Sequence, residues 1–170
     1  MMHVELAAAG PRDVPVLENL MQLYKYDFSE FEAEDVDRDG RFPFVGFGSF
    51  FAMRDPHAYL VRVDGNLAGF ALAYRDHAFR NPTEPTWWMH EFFVMRAYRR
   101  RGVGERVATQ LFETLGGTWE IGQVPDNVGA QAFWRTIVGR YTGGDYEEFV
   151  IDDERWRGPV QYFRSDGRTR

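Results

Sequence analysis

The chain has 170 residues, 44% apolar and 16% aromatic, enough for one domain with a substantial core. It contains no cysteine, which excludes a disulfide framework, a thiolate metal site and a cysteine nucleophile. The net charge of −6 argues against a general polyanion binder, and no apolar run approaches the ~20 residues of a membrane span.

Apolar periodicity and turn residues give the elements in chain order. His3–Ala8 reads as a strand. A helix is expected near Pro11–Asp27, with Leu17, Leu20, Met21 and Tyr24 at i, i+3, i+4, i+7 and with Pro11 and Asp13 in its first turn. A second short helix is expected over Glu30–Val36. Asp37–Ser49, holding Gly40, Pro43, Gly46 and Gly48, reads as a long loop. Ala58–Val63 and Leu67–Tyr74 are strands joined at Asp64-Gly65-Asn66, a hairpin signal. A polar loop, Asp76–Pro85, leads to a strand over Thr86–Val94, a helix over Gly102–Leu115 and a strand over Trp119–Val124. Gly129–Val138 is a helix with Ala130, Phe133, Trp134 and Ile137 on one face. Glu147–Ile151 and Val160–Arg164 read as a closing pair of strands, and Ser165–Arg170 as a loose tail. One domain is expected over residues 1–164.

The segment Arg99-Arg100-Arg101-Gly102-Val103-Gly104 lies between an aromatic strand and an amphipathic helix that carries Val103, Val107, Leu111 and Leu115. Glycines there permit a tight turn and close ligand approach. The unpaired N–H groups of the helix start carry partial positive charge, so the junction suits a phosphate or pyrophosphate. A dinucleotide fingerprint would need Gly or Ala where Val107 stands, and a P-loop would need a Gly-Lys-Ser/Thr triplet that the chain lacks. The competing reading is a solvated basic turn.

Arg99-x-x-Gly102-x-Gly104 resembles the acetyl-CoA pyrophosphate loop of the GNAT acetyltransferase superfamily. A second segment strengthens the resemblance: Asn127, then Ala130, then Phe133-Trp134, followed by Gly139. The resemblance implies an α/β (α+β) fold, with a mixed central sheet, helices on both faces and central strands Thr86–Val94 and Trp119–Val124 splayed apart. It implies an acyl-CoA-dependent N-acyltransferase with acetyl-CoA as co-substrate, moving acetyl to a primary amine of a small molecule or peptide. A degenerate domain that binds acyl-CoA as a sensor or interaction module is the alternative. The expected partners are acyl-CoA and an amine acceptor, without nucleic acid or membrane; a homodimer is compatible. With no leader segment in view, a cytoplasmic location is expected.

Backbone N–H groups from Arg101 through Val103 and Gly104 to Glu105, with the side chains of Arg99, Arg100 and Arg101, are expected at the pyrophosphate. Phe93 and Val94 would contribute backbone, the Val94 N–H facing a developing oxyanion. Asn127 and Phe133 are carried over as cofactor contacts, although Asn127 equally reads as a helix cap. The resemblance also implies a catalytic glutamate on the strand before the loop, which makes Glu91 the candidate base; its neighbours Trp88, Met89, Phe92 and Phe93 would raise its pKa, and an exposed or ion-paired carboxylate is the alternative. Strand alternation sends His90 to the opposite face. By the same resemblance the acceptor site is expected within Tyr24–Phe51, with Tyr24, Asp27, Phe28 and Phe31 as the candidate wall, acidic and aromatic as suits a cationic amine; a solvated acidic helix is the alternative reading. The family's usual tyrosine is replaced by Trp134, whose indole cannot act as an acid near neutral pH. Tyr98 and Tyr141 are the conceivable substitutes. The four histidines are dispersed and no metal site is expected.

Overall fold

A computed structural model describes residues 2–77 and 79–166. Seven strands form a single sheet in the order β1-β2-β3-β4-β5-β7-β6. They are β1 (Val4–Ala9), β2 (His57–Val63), β3 (Asn66–His77), β4 (Pro85–Val94), β5 (Gly117–Gly122), β6 (Glu147–Asp152) and β7 (Arg157–Ser165). All neighbours are antiparallel except β4 and β5, which run parallel. Among the described residues there are four α-helices, α1 (Val14–Phe28), α2 (Phe47–Phe51), α3 (Val103–Leu115) and α4 (Val128–Thr142), with short 3-10 turns at Pro11–Asp13 and Arg96–Tyr98.

Strand alternation divides the core into two layers. Leu17, Leu20 and Met21 of α1 and Phe47 and Phe50 of α2 pack on Ala58, Leu60, Phe70, Leu72 and Phe93 on one face. On the other, Ala108, Leu111 and Phe112 of α3 and Trp134, Ile137 and Val138 of α4 cover Tyr59, Ala71, Trp87, Met89 and Trp119. The helices therefore lie on both faces, as expected.

Three local expectations fail. Glu30–Val36 forms no helix beyond a turn at its start. Its carboxylates repel one another, and it carries no apolar stripe that packing could reward. A helix forms instead at Phe47–Phe51, inside the expected loop, because Phe47 and Phe50 bury almost completely beside α1. The hairpin behaves as read: Asp64 and Gly65 both take positive φ, at 49° and 81°, as a two-residue turn between twisted strands demands. Ser165, expected in the tail, belongs to β7 and is buried, bonding to the Phe112 carbonyl at 2.7 Å. Residues 167–170 of that tail lie outside the described residues.

The feature that positions the site is the parting of β4 from β5. They pair only at Trp87–Trp119 and Trp88–Glu120. Beyond that point β4 follows β3 and the chain after β5 follows β7. Two glycines permit this. A Cβ on Gly69 would lie 1.9 Å from the Phe93 carbonyl oxygen, and one on Gly158 would lie 2.1 Å from that of Gln123. With no side chain at either position, each strand closes on its outer neighbour and leaves the middle open.

Candidate active site

The opening between β4 and β5 leads into two adjoining cavities. The first, about 490 Å³, reaches from α1 and α2 to the ends of the parted strands. The second, about 600 Å³, lies against the start of α3. Tyr24, Phe28, Phe92, Asn127 and Ala130 wall both.

The second cavity is lined by Phe93, Val94, Arg99, Arg100, Gly102, Gly104, Glu105, Asn127 and Phe133. Of the residues expected at a cofactor, Arg101 and Val103 do not line it; Val103 is 1% exposed, a core residue beneath the helix start. Arg100 and Gly102 adopt positive φ, 58° and 77°, so the turn coils tightly into α3. Gly102 at the N-cap offers no side chain to the first N–H groups of the helix. These donors, the positive end of the helix and the Arg100 side chain together fit a pyrophosphate. Gly104 keeps the approach open: a Cβ there would meet the Phe133 ring at 3.1 Å.

The Met95 N–H bonds to the Ala68 carbonyl, on the β3 side. Alternation therefore turns the N–H and C=O of Val94 toward the gap. The Val94 carbonyl accepts from Arg99 Nε at 2.6 Å, and its N–H is placed beside it to donate into the cavity. Asn127 caps α4, its Oδ1 accepting from the Ala130 N–H at 2.9 Å, while also lining both cavities.

Glu91 sits in the first cavity. Its position depends on an irregularity in β4. Leu72 faces Glu91 and Ala73 faces Met89, so His90 is an extra residue, a β-bulge. The bulge corrects the expectation for His90. Instead of pointing to opposite faces, His90 and Glu91 both turn toward α1 and α2: His90 stacks on Phe50 at 5.7 Å, and the Glu91 carboxylate accepts from the Tyr24 hydroxyl. Met89 and Phe92, on either side, pack with the α3–α4 layer. Desolvation lifts Glu91 to a pKa of about 7, against the lowering effects of the Tyr24 hydrogen bond and of Lys25. Desolvation lowers His90, leaving a neutral imidazole at pH 7.

The expected acceptor wall divides. Tyr24 and Phe28 line both cavities, whereas Asp27 and Phe31 line only the second. Asp27 accepts from Arg96 Nε at 2.7 Å and from Arg99 Nη2, which ties the end of α1 to the Arg99 turn. Burial pushes its carboxyl up, but the two guanidinium groups outweigh that and hold it below the usual range. In the rest of the first cavity's wall, Phe44, Phe47 and Phe50 around α2 fall within the segment Tyr24–Phe51 expected at the acceptor, although none was named there, and Trp88 and Trp156 lie outside that segment. Aromatics at 44, 47 and 50 in a glycine-rich stretch were the available signal; Trp156 offered none, because its approach depends on β7 pairing with β5. Trp134 is 5% exposed and packs against Phe92 at 4.9 Å. Tyr98 and Tyr141 line neither cavity, and Tyr141 is engaged with Ser165 at 2.7 Å. Tyr24 is the phenol at the junction.

The profile of the acetyltransferase (GNAT) family matches residues 17–139, and the chain belongs to that family. No curated protein matches it in sequence. Solved structures that share the fold include a GNAT acetyltransferase from Staphylococcus aureus Mu50, 13% identical with a TM-score of 0.64, over 96% of this chain and 100% of that one. An aminoglycoside N-acetyltransferase in complex with CoA is 19% identical with a TM-score of 0.59, over 91% and 95% of the two chains. A ribosomal L7/L12 α-N-protein acetyltransferase in complex with coenzyme A is 14% identical with a TM-score of 0.58, over 96% and 94%.

Proposed function

We propose that the chain transfers an acetyl group from acetyl-CoA to a primary amine of a small molecule or peptide by direct attack, with Glu91 as base, acting directly or through one water. The observation that carries this reading is Glu91 itself, with a pKa of about 7, in an aromatic cavity that shares the Tyr24, Phe92 and Asn127 walls with an anion-binding one. The bound co-substrate supplies an activated acetyl thioester; the protein's residues manage position and protons. The helix start and Arg100 hold the phosphates, and the Val94 N–H stabilises negative charge on the carbonyl oxygen.

An alkyl ammonium has a pKa near ~10, and moving its proton to a base near ~7 costs about 4 kcal/mol, against about 8 for an ordinary carboxylate. Burial of Glu91 thus recovers about half of that cost. Glu91 is still ionised in a large fraction of molecules at neutral pH. Its partner Tyr24 reaches the second cavity as well, which offers a path for the proton toward the departing thiolate.

The test is thiol release from acetyl-CoA with an amine panel, comparing the parent with Glu91→Gln. Amine-dependent release that falls by ~100-fold or more in the variant is expected. Equal rates would remove Glu91 from the mechanism. The packing of Trp134 where the family commonly has tyrosine favours a second reading, an acyl-CoA-binding domain without turnover; it requires binding with no release for any amine.

A further inference from the structure

We propose that the acceptor is an amine with one or at most two ammonium groups, carried on an aromatic or similarly bulky apolar body, rather than a polyamine or a polyhydroxylated polycation. The proposal rests on the acetyl-transfer reading and specifies what fills the first cavity.

Charge is the first argument. The ionisable side chains around Glu91 are Lys25, Glu32, Glu34 and His90. Lys25 and Glu34 neutralise each other at 2.6 Å, and His90 is uncharged near pH 7. Among the described residues Glu32 forms no ion pair, and it acts electrostatically on both Glu91 and Tyr24. Glu91, when ionised, takes up the proton of the reacting ammonium, and Glu32 is left to balance one further positive charge at most. A third or fourth ammonium group would enter unpaired, and an unpaired charge in a half-closed apolar site is costly.

Hydrogen-bonding capacity is the second. Gln123 faces the cavity, but its amide is already spent. Its nitrogen donates to the Ile121 carbonyl at 2.9 Å and to Gln161 at 2.7 Å, and its oxygen accepts from Gln161 at 3.0 Å. The carbonyl oxygen of Asn127 is occupied by its helix cap. A ligand rich in hydroxyls would lose water there and find as side-chain partners chiefly the Asn127 amide nitrogen, the His90 ring and the Ser29 and Ser49 hydroxyls, too few to replace its hydration shell.

Shape is the third. Trp88 and Trp156 meet edge to face at 5.2 Å over Gly122, where a Cβ would lie 2.6 Å from the first ring and 2.7 Å from the second. The bare glycine lets two indoles close one end of the cavity. Phe79 supports Trp88 from outside at 5.4 Å, and Arg155 stacks on Phe79 at 4.8 Å. Phe28, Phe44 and Phe50 supply the α1–α2 side. Aromatic walls serve both halves of such a substrate, since ring faces attract the ammonium and apolar contact holds the body.

The experiment measures kcat/KM for phenethylamine, ethylamine, spermidine and kanamycin by thiol release, with acetyl-CoA binding followed separately by calorimetry. Phenethylamine is expected to exceed ethylamine by about 100-fold, or about 2.8 kcal/mol at 1.4 kcal/mol per tenfold, and to exceed both polycations. In Trp156→Ala the ratio of phenethylamine to ethylamine is expected to fall at least about ten-fold; Trp156→Leu is the alternative if the alanine form does not fold. Spermidine or kanamycin matching phenethylamine would overturn the inference and leave acetyl transfer standing. A ratio unchanged in the Trp156 variant would overturn the role of the indole wall. Bound acetyl-CoA with no amine acetylated would defeat the transferase reading, and this inference with it.

Discussion

Replacing Glu91 with glutamine is expected to stabilise the fold while disabling the chemistry. Raising a carboxyl from its ordinary 4.5 to about 7 places roughly 3 kcal/mol of penalty on the charged form. Cavity water reduces that figure, so about 1–3 kcal/mol is the expected range. The sign follows from proton counts. Between pH 4.5 and 7 the folded protein holds a proton that the unfolded chain has released, so stability falls as pH rises and the full penalty applies above pH 7. Glutamine carries no such penalty and can still accept from Tyr24. Glu91→Gln is therefore expected to raise the urea midpoint at pH 8, with an advantage that shrinks toward pH 4.5, followed by tryptophan fluorescence. A variant less stable than the parent at pH 8, or a difference independent of pH, would mean that Glu91 ionises as an ordinary solvated carboxylate. The cause assigned to its basicity would then be wrong.

Gly104→Glu is expected to abolish acetyl-CoA binding in calorimetry, because its Cβ would lie 3.1 Å from the Phe133 ring and its carboxylate would repel phosphate in the same cavity; equal affinity would refute the phosphate cradle. Gly69→Ala is expected to lower stability by roughly 2–3 kcal/mol in denaturant melts, since the new methyl would overlap a backbone oxygen. A neutral result would show that β4 can be held off β5 by other means. Trp134→Phe is expected to retain most of the rate and lose about 1–2 kcal/mol of stability. Trp134→Tyr is expected to change the pH–rate profile little unless thiolate protonation limits turnover. In the parent, kcat/KM is expected to rise with pH through about 7, the ionisation of Glu91; a flat profile from pH 6 to 8 would argue against a base of that pKa.

The sequence by itself determined most of the elements and the Arg99–Gly104 turn, each from local information: a 3.6-residue stripe such as Leu17, Leu20 and Met21, an Asp-Gly hairpin, or glycines ahead of a helix. The helix layers on both faces of the sheet followed from the family resemblance. Glu91 could be picked out because the family it resembles often carries a glutamate on this strand and because its apolar neighbours are adjacent in the chain. What tertiary structure decided is the geometry across strands. His90 and Glu91 share a face because Ala73 pairs with Met89 and Leu72 with Glu91, a register that no alternation pattern encodes. Asp27 reads as a free acid and is held by Arg96 and Arg99, far along the chain. Phe47–Phe51 became helical because α1 and β3 bury its rings, whereas Glu30–Val36 had charge but nothing to pack. Trp156 reaches the site only because β7 pairs with β5 and Gly122 leaves room for two indoles. Local periodicity reports what one segment can bury; which segment it meets is set by pairings between distant residues, and the cavity around Glu91 is built almost entirely from those.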